Sequence, residues 1–363
     1  MNVGLAIHRN AVRQPDAAAV FGDVRLTYAE LDERTNRVAD LLLGRGLARG
    51  ERVAVLMANR GEVVEVLGGI TKAGLVYVGL NFRLGPAELE QVFGNAEPSL
   101  VITDGEHAPA VATVAAASAV AVIDIESDDW HQALGAADPA PPATLHEVRH
   151  HDDFCIVYTS GTTGRPKGVL FDHARALQHA TVTCLEYGIG RASRYLVQIP
   201  HNSSVNITIV PCLVVGAGLG FRDSRAFDPV AYASTVEEEG VTHSFLVPTQ
   251  LMRLLDRLPR DSDHQLAGLE TLGYGSSPIS PDRLRELVDR FGPIFIQLYG
   301  MAEIASIGTL LRTDDHVVGL AGRTELLASC GQPSYGVDVR VVDGDGHDVA
   351  PGERGEVVFA GPH

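Results

Sequence analysis

Apolar and polar positions along the chain follow two periods, and the order in which those periods succeed one another sets the fold class. Thr27-Tyr28-Ala29-Glu30 has the form of a capping box. Leu31, Thr35, Val38 and Leu42 recur behind it at helical spacing, and Gly44 and Gly46 end the pattern. This predicts an amphipathic helix that buries one face. Val53 to Met57 is a short apolar run typical of a buried strand, Val63 to Lys72 returns to helical spacing, and Leu75 to Val78 is strand-like again. Strand, helix, strand in that order implies a parallel sheet, because the chain must cross back before the next parallel strand can begin. The alternation continues through Glu88 to Asn95, Leu100 to Thr103, an alanine-rich stretch, and Ala119 to Ile123.

A loop dominated by Gly, Ala, Asp and Pro between Gly135 and Ala143 separates this region from the next. Beyond it, helical patterns at Ala174 to Tyr187, Val230 to Glu239 and Asp282 to Phe291 alternate with strand-like runs at Tyr195 to Ile199, Ser244 to Pro248, Thr271 to Tyr274 and Ile294 to Tyr299. A second parallel-type sheet is expected. From Val337 onward, Val339, Val341 and Val357-Val358-Phe359 are separated by Asp343-Gly344-Asp345-Gly346 and Pro351-Gly352, which predicts antiparallel strands with tight turns. The fold class is therefore α/β: two parallel-type α/β sheet subdomains, residues 1–170 and 171–330, followed by an antiparallel part over 331–363.

Composition narrows the ligands. With 29 basic against 46 acidic residues the net charge is −17, which argues against nonspecific binding to nucleic acid or an anionic membrane. Any anionic ligand must then be held by local geometry. Four cysteines, Cys155, Cys184, Cys212 and Cys330, lie far apart without metal-ligand or disulfide-framework spacing, and reduced buried thiols are expected. His146, His150 and His151 have no acidic or cysteine partner at ligand spacing and read as surface residues. No apolar run reaches the ~18 residues of a membrane span, and Met1 to Asn10 lacks the pattern of a secretory signal, so a cytoplasmic protein is expected.

Candidate chemistry concentrates in Tyr158-Thr159-Ser160-Gly161-Thr162-Thr163-Gly164-Arg165-Pro166-Lys167-Gly168-Val169, which packs three glycines, four aliphatic hydroxyls and two cations between apolar runs. Glycines let backbone N–H groups approach an anion, hydroxyls donate further hydrogen bonds, and Lys167 adds a point charge. Pro166 before the lysine and Gly168 after it exclude a Walker A loop. The second informative stretch, Gln297-Leu298-Tyr299-Gly300-Met301-Ala302-Glu303, puts an aromatic ring, a glycine and a carboxylate at the carboxyl end of a predicted strand, where open parallel sheets bind ligands. Pro200-His201-Asn202-Ser203-Ser204-Val205-Asn206 is a polar cluster in apolar surroundings and suggests a pocket with polar demands.

These stretches resemble the adenylate-forming superfamily, which comprises acyl- and aryl-CoA synthetases, nonribosomal adenylation domains and luciferases. The likeness runs in the family's order from Leu26 to the last residues, with Lys72 to Gly74 and Asn81 to Leu84 matching early packing motifs. It implies an ATP- and magnesium-dependent activation of a small carboxylic acid, with release of pyrophosphate, and transfer of the acyl group to coenzyme A or a carrier-protein phosphopantetheine. The antiparallel part at 331–363 would be the start of a β-barrel subdomain.

By resemblance, Thr163, Lys167 and Glu303 form the catalytic set, Glu303 holding the magnesium ion. Thr159, Ser160, Gly161, Thr162, Thr163, Gly164 and Lys167 bind the phosphates. Gly275-Ser276-Ser277-Pro278 lies along the nucleotide, and Gln297, Leu298, Tyr299, Gly300, Met301 and Ala302 complete its site, Tyr299 stacking on adenine. His201, Asn202, Ser203, Ser204, Phe245, Tyr274, Gly275 and Met301 face the acid, an aryl or short to medium, partly polar one. The sequence departs from the family at Ala302, where threonine is usual, and at Pro200-His201, where the family spaces proline and histidine further apart.

Gly331-Gln332-Pro333 and Gly355 to Pro362 resemble two later motifs, and the chain ends at His363. The small C-terminal domain that carries the family's adenylation lysine is expected to lie outside it, leaving a truncated large domain poorly active alone. Two other readings stay open: a relative that passes the adenylate to a non-thiol acceptor, as an amide synthetase or diazotase-like enzyme, and a non-catalytic nucleotide-binding module.

Overall fold

In the computed structural model, which describes residues 1–159, 166–222, 225–258 and 266–363, the early strands form as the apolar runs predict. A short antiparallel pair, β1 (Ala18–Phe21) and β2 (Leu26–Thr27), comes first. A six-stranded sheet follows, built from β3 (Arg52–Leu56), β4 (Val76–Gly79), β5 (Leu100–Thr103), β6 (Ala121–Asp124), β7 (Asp153–Thr159) and β8 (Lys167–Asp172) in the order β6-β5-β3-β4-β7-β8. Every neighbouring pair is parallel except β7 and β8, which form a hairpin. β9 (Arg194–Val197) and β10 (Gly218–Phe221) pair in parallel, and β10 also lies parallel to β1.

The crossovers are the helices that the 3.6-residue pattern predicts. Helix Tyr28–Gly44 begins with a closed capping box, in which Thr27 Oγ1 accepts from Glu30 N at 3.2 Å and Glu30 Oε2 accepts from Thr27 N at 2.8 Å. It packs so closely on helix Glu62–Lys72 that a Cβ at Gly69 would stand 2.2 Å from Val38 Cγ1. Helices Pro86–Ala96 and Ala108–Ala117 cover the sheet through Leu89, Val92, Phe93, Val111 and Val114, packed in one buried cluster with Ala54, Leu56, Val78 and Val101. Among the described residues no helix is long and apolar enough to cross a membrane.

Chain contacts divide the molecule into two units, Met1–Thr181 with Ile189–Phe227, and Val182–Gly188 with Asp228–His363. The second unit holds β11 (His243–Leu246), β12 (Thr271–Gly275) and β13 (Phe295–Tyr299), mutually parallel in that order, onto which β14 (Thr309–Leu311) and β15 (Gln332–Pro333) add antiparallel. Pairing thus turns antiparallel before Gly331, earlier than the sequence suggests. β14 and β15 have three and two residues, too short to show a period. β16 (Asp338–Val342) and β17 (Glu356–Ala360) form a two-stranded antiparallel hairpin. The expected barrel start is therefore a hairpin, and no closed barrel occurs among the described residues.

Candidate active site

In the first unit the candidate residues gather at the carboxyl ends of adjacent strands. β7 and β8 pair from Asp153 with Asp172 up to Thr159 with Lys167, so the hydroxyl and the cation that bracket the glycine-rich segment stand opposite each other. Ser160, Gly161, Thr162, Thr163 and Gly164 lie outside the described residues. Lys167 is exposed and makes no ion pair among the described residues. The hairpin is pinned from below. Tyr158 is half-buried and its hydroxyl donates to Asn95 Oδ1 at 2.6 Å, while a Cβ at Gly168 would come within 2.8 Å of Ile156 Cγ2 and 3.1 Å of Tyr158 Cζ. Glycine after the lysine is therefore required by packing as well as by the loop.

β4 neighbours β7, and at its carboxyl end a Cβ on Gly79 would lie 3.0 Å from Asn202 Cα, in the short helix His201–Ser204 that follows β9. His201, Asn202 and Ser204 are buried and Ser203 is exposed, so the polar cluster does not present one common face. The His201 backbone N–H donates to Asn59 Oδ1 at 2.8 Å. Its Nε2 lies 3.1 Å from the Met57 carbonyl, which can only accept, and its Nδ1 lies 2.6 Å from the Tyr77 hydroxyl. The ring is thus neutral, donating from Nε2 and accepting at Nδ1. Both nitrogens are engaged within the protein and the residue is fully buried, so a substrate would reach them only by displacing a partner. A π-helical turn, Val205–Ile209, continues the segment, a distortion that recurs at functional sites.

Burial drives the His201 pKa down to about 4, and the same cause lowers His173 to about 4. Between pH 6.5 and 4 the unfolded chain therefore binds protons that the folded chain refuses, and stability falls as pH falls through that window. His201 alone accounts for roughly 3 kcal/mol by pH 4. Denaturant titrations at several pH values should show this decline, and His201→Gln should flatten it; an unchanged slope would assign the decline to other groups.

In the second unit the candidates again occupy the carboxyl ends of neighbouring parallel strands, β12 and β13. Phe245 on β11 is buried beside Gly273, where an added Cβ would stand 2.9 Å from its ring. Tyr274 is fully buried, its hydroxyl donating to Gln297 Oε1 at 3.1 Å and lying 2.8 Å from His316 Nε2; burial raises its pKa. Gly275 packs on the Leu298 carbonyl oxygen, 2.6 Å from where its Cβ would be. The next residue, Ser276, has φ +71°, and Ser276, Ser277 and Pro278 are exposed.

Beyond β13, Tyr299 is 41% exposed, its ring 6.1 Å from that of Phe359. The chain then folds into a tight turn closed by Gly308 N donating to the Tyr299 carbonyl at 3.0 Å. Gly300 cannot carry a side chain there, since its Cβ would meet the Ser306 carbonyl oxygen at 2.6 Å. Ala305 and Ser306 have φ +50° and +76°, so the turn that presents Glu303 is strained, like the one at Ser276. Glu303 and Met301 are exposed, and Glu303 has no partner among the described residues.

The first unit thus presents a hairpin that ends in Lys167, which makes no ion pair among the described residues, and the second unit presents two strained turns at the carboxyl ends of parallel strands, with exposed Ser276 and Glu303 on them. The comparisons decide the family. The family described as AMP-binding enzyme matches residues 7–363. Feruloyl-CoA synthase from Amycolatopsis sp is 37% identical over 359 residues, spanning 98% of this chain and 69% of that protein. The chain belongs to the AMP-binding enzyme family. Indoleacetate–CoA ligase from Aromatoleum aromaticum is 30% identical over 98% of this chain and 69% of its own length. Among solved structures, the inhibitor-bound N-terminal domain of FACL13 from Mycobacterium tuberculosis superposes with a TM-score of 0.89 at 28% identity, covering 99% of this chain and 89% of that one.

As a member of this family the protein is an AMP-forming, acyl-CoA synthetase-like acid–thiol ligase that works by ATP-dependent adenylation. Sequence reasoning named the exposed charges of the family's motifs but missed what positions the buried ones: Met57, Asn59 and Tyr77 around His201, and Gln297 and His316 around Tyr274. The partners of His201 lie more than a hundred residues away in sequence, and those of Tyr274 lie 23 and 42 residues away.

Proposed function

We propose that the acid activated by this ligase is an aromatic or short to medium, partly polar one, that the adenylate forms from magnesium-bound ATP, and that coenzyme A is the acyl acceptor. The relationship to feruloyl-CoA synthase carries the reading, since that protein's name specifies an aromatic acid. A carboxylate oxygen attacks the α-phosphorus, the bond to pyrophosphate breaks, and the thiol sulfur then attacks the acyl carbon with AMP leaving. No protein nucleophile is needed, so the residues act by position and charge.

Lys167, with the hydroxyls of Thr159, Ser160, Thr162 and Thr163 and the amides of Gly161 and Gly164, neutralises the departing phosphates. Glu303 is a hard oxygen donor with no competing partner among the described residues, and it would hold a magnesium ion, which would supply positive charge to the phosphates. Tyr299 offers an exposed aromatic face to adenine. Phe245, Tyr274, Gly275 and Met301 border the acid, and the Gly275 to Pro278 turn lies along the nucleotide.

Acid-dependent pyrophosphate exchange tests the reading. With a hydroxycinnamic acid, indoleacetic acid, benzoic acid, hexanoic acid and palmitic acid offered in turn, the aromatic acids should exchange fastest; turnover of palmitic acid alone overturns it. Coenzyme A and a pantetheine-loaded carrier protein offered to the same adenylate separate the two thiols.

Ala302 tunes the grip. A threonine there would add one charge-assisted hydrogen bond to a phosphate oxygen or metal-bound water, worth about 1.5 to 3 kcal/mol. Ala302→Thr should tighten ATP binding about tenfold or more, as read by equilibrium titration. Equal or weaker binding would show that no such bond forms.

A further inference from the structure

Outside these motifs the first unit contains a cleft of about 120 Å³ between helices Tyr28–Gly44, Glu62–Lys72 and Asp128–Ala136. It is lined by charges whose pairing does not close. Arg60 forks onto Glu62 at 3.0 and 2.9 Å and reaches Glu126 Oε1 at 2.5 Å, and the second Glu126 oxygen accepts from Gly105 N at 3.2 Å. Arg34 Nε lies 2.9 Å from Glu65 Oε2, off the line a hydrogen bond requires. Glu65 Oε1 has no hydrogen-bond partner among the described residues, although the residue is only 3% exposed. Three carboxylates, Glu62, Glu65 and Glu126, face two guanidiniums across the cleft, and the unpartnered oxygen, Glu65 Oε1, belongs to the most buried of the three. A buried acceptor of this kind is strongly unfavourable until a donor reaches it. The rest of the wall is formed by Val66, Ile125, Leu134, the ring of Trp130 and one imidazole, His131.

We propose that this cleft binds a primary ammonium group on a short alkyl chain, the ammonium donating to Glu65 Oε1 and the chain lying against Trp130 and Leu134. The class follows from the wall. An N–H donor with one positive charge completes the pairing, an aromatic face attracts a cation, and the apolar wall favours a carbon tail over a hydrated metal ion. The volume accommodates a ligand of a few heavy atoms. The cleft uses none of the residues assigned to ATP or the acid, so binding here is separate from ligation.

Trp130 is the chain's single tryptophan, so fluorescence excited selectively in tryptophan reports on this cleft. Titration of the protein with n-butylammonium chloride at constant ionic strength should give a saturable change in emission, and n-butanol and potassium chloride at the same concentrations should give none. Glu65→Gln should weaken binding at least tenfold. Because that change also alters the partner of Arg34, Leu134→Phe, which fills the cleft and leaves the carboxylate in place, should weaken it as much. Saturation by butanol or by potassium, no saturable response to n-butylammonium, or wild-type affinity in Leu134→Phe overturns the proposal.

Discussion

Glu303→Gln should lower acid-dependent pyrophosphate exchange by about a hundredfold or more while leaving the unfolding midpoint where it is, and Lys167→Met should do the same. The two halves of this expectation have separate causes. Both side chains are exposed and neither has a partner among the described residues, so their removal strands no buried group and should change stability by no more than about 0.5 kcal/mol. Charge that develops on departing phosphates is answered only by groups already in place, and removing one such group costs on the order of 10²–10³ in rate. Glutamine keeps the size of Glu303 and loses the charge that a divalent ion requires; methionine keeps the stem of Lys167 and loses its ammonium. If both act on the same triphosphate, the double variant should fall short of the product of the single effects. ATP affinity that is indifferent to replacing both residues together would remove them from the nucleotide site.

How far such residues can be read from sequence depends on what fixes them. The β3 to β6 alternation was legible because β3, β4 and β5 are nearly unbroken buried apolar runs, the edge strand β6 keeps an apolar run although it is largely exposed, and helical spacing returns between strands, as at Val63 to Lys72. The turns at Ser276 and Ser306 were not, because a positive φ outside glycine is imposed by the surrounding chain and leaves no local signal. Gly300 and Gly275 could be recognised as glycines of a motif, yet the reason for them, a carbonyl oxygen 2.6 Å from the missing Cβ, belongs to residues distant in sequence or across the turn. His201 shows the same limit from the other side. Its place after a strand and a proline was readable, whereas the engagement of both its nitrogens, by Met57 and Tyr77, depends on tertiary packing. The unit that begins at Met1 also takes in Ile189–Phe227, a discontinuity that a linear reading of apolar runs does not express.

Lys72 belongs to a stretch whose sequence suggested packing rather than chemistry, and the packing it performs is electrostatic. Its side chain is fully buried, with Nζ 2.5 Å from Asp32 Oδ1, 3.0 Å from the Asp32 carbonyl and 2.6 Å from Asn36 Oδ1, so each of the three ammonium protons has an acceptor. Asp32 Oδ2 lies 2.9 Å from His8 Nδ1, which ties helix Val3–Arg13 into the same cluster. Asp32→Ala leaves this ammonium buried without its counter-ion and should destabilise the fold by about 3–5 kcal/mol at pH 7. Asp32→Ala combined with Lys72→Met removes both charges and should recover much of the loss; a double variant as unstable as the single would mean that Asp32 acts through something other than Lys72.

The pH dependence gives an independent check. Burial, opposed by Asp32, already lowers the Lys72 pKa from 10.5 to about 8, so the folded chain holds this proton less tightly than the unfolded chain and stability rises with pH between those values. Without Asp32 the folded pKa drops further, and the rise begins at lower pH. The deficit of Asp32→Ala relative to the native chain should therefore be largest in mild acid and narrow as pH approaches 8, which denaturant titrations at pH 6, 7 and 8 would register; a deficit constant across that range would show that Lys72 keeps its proton without its partner.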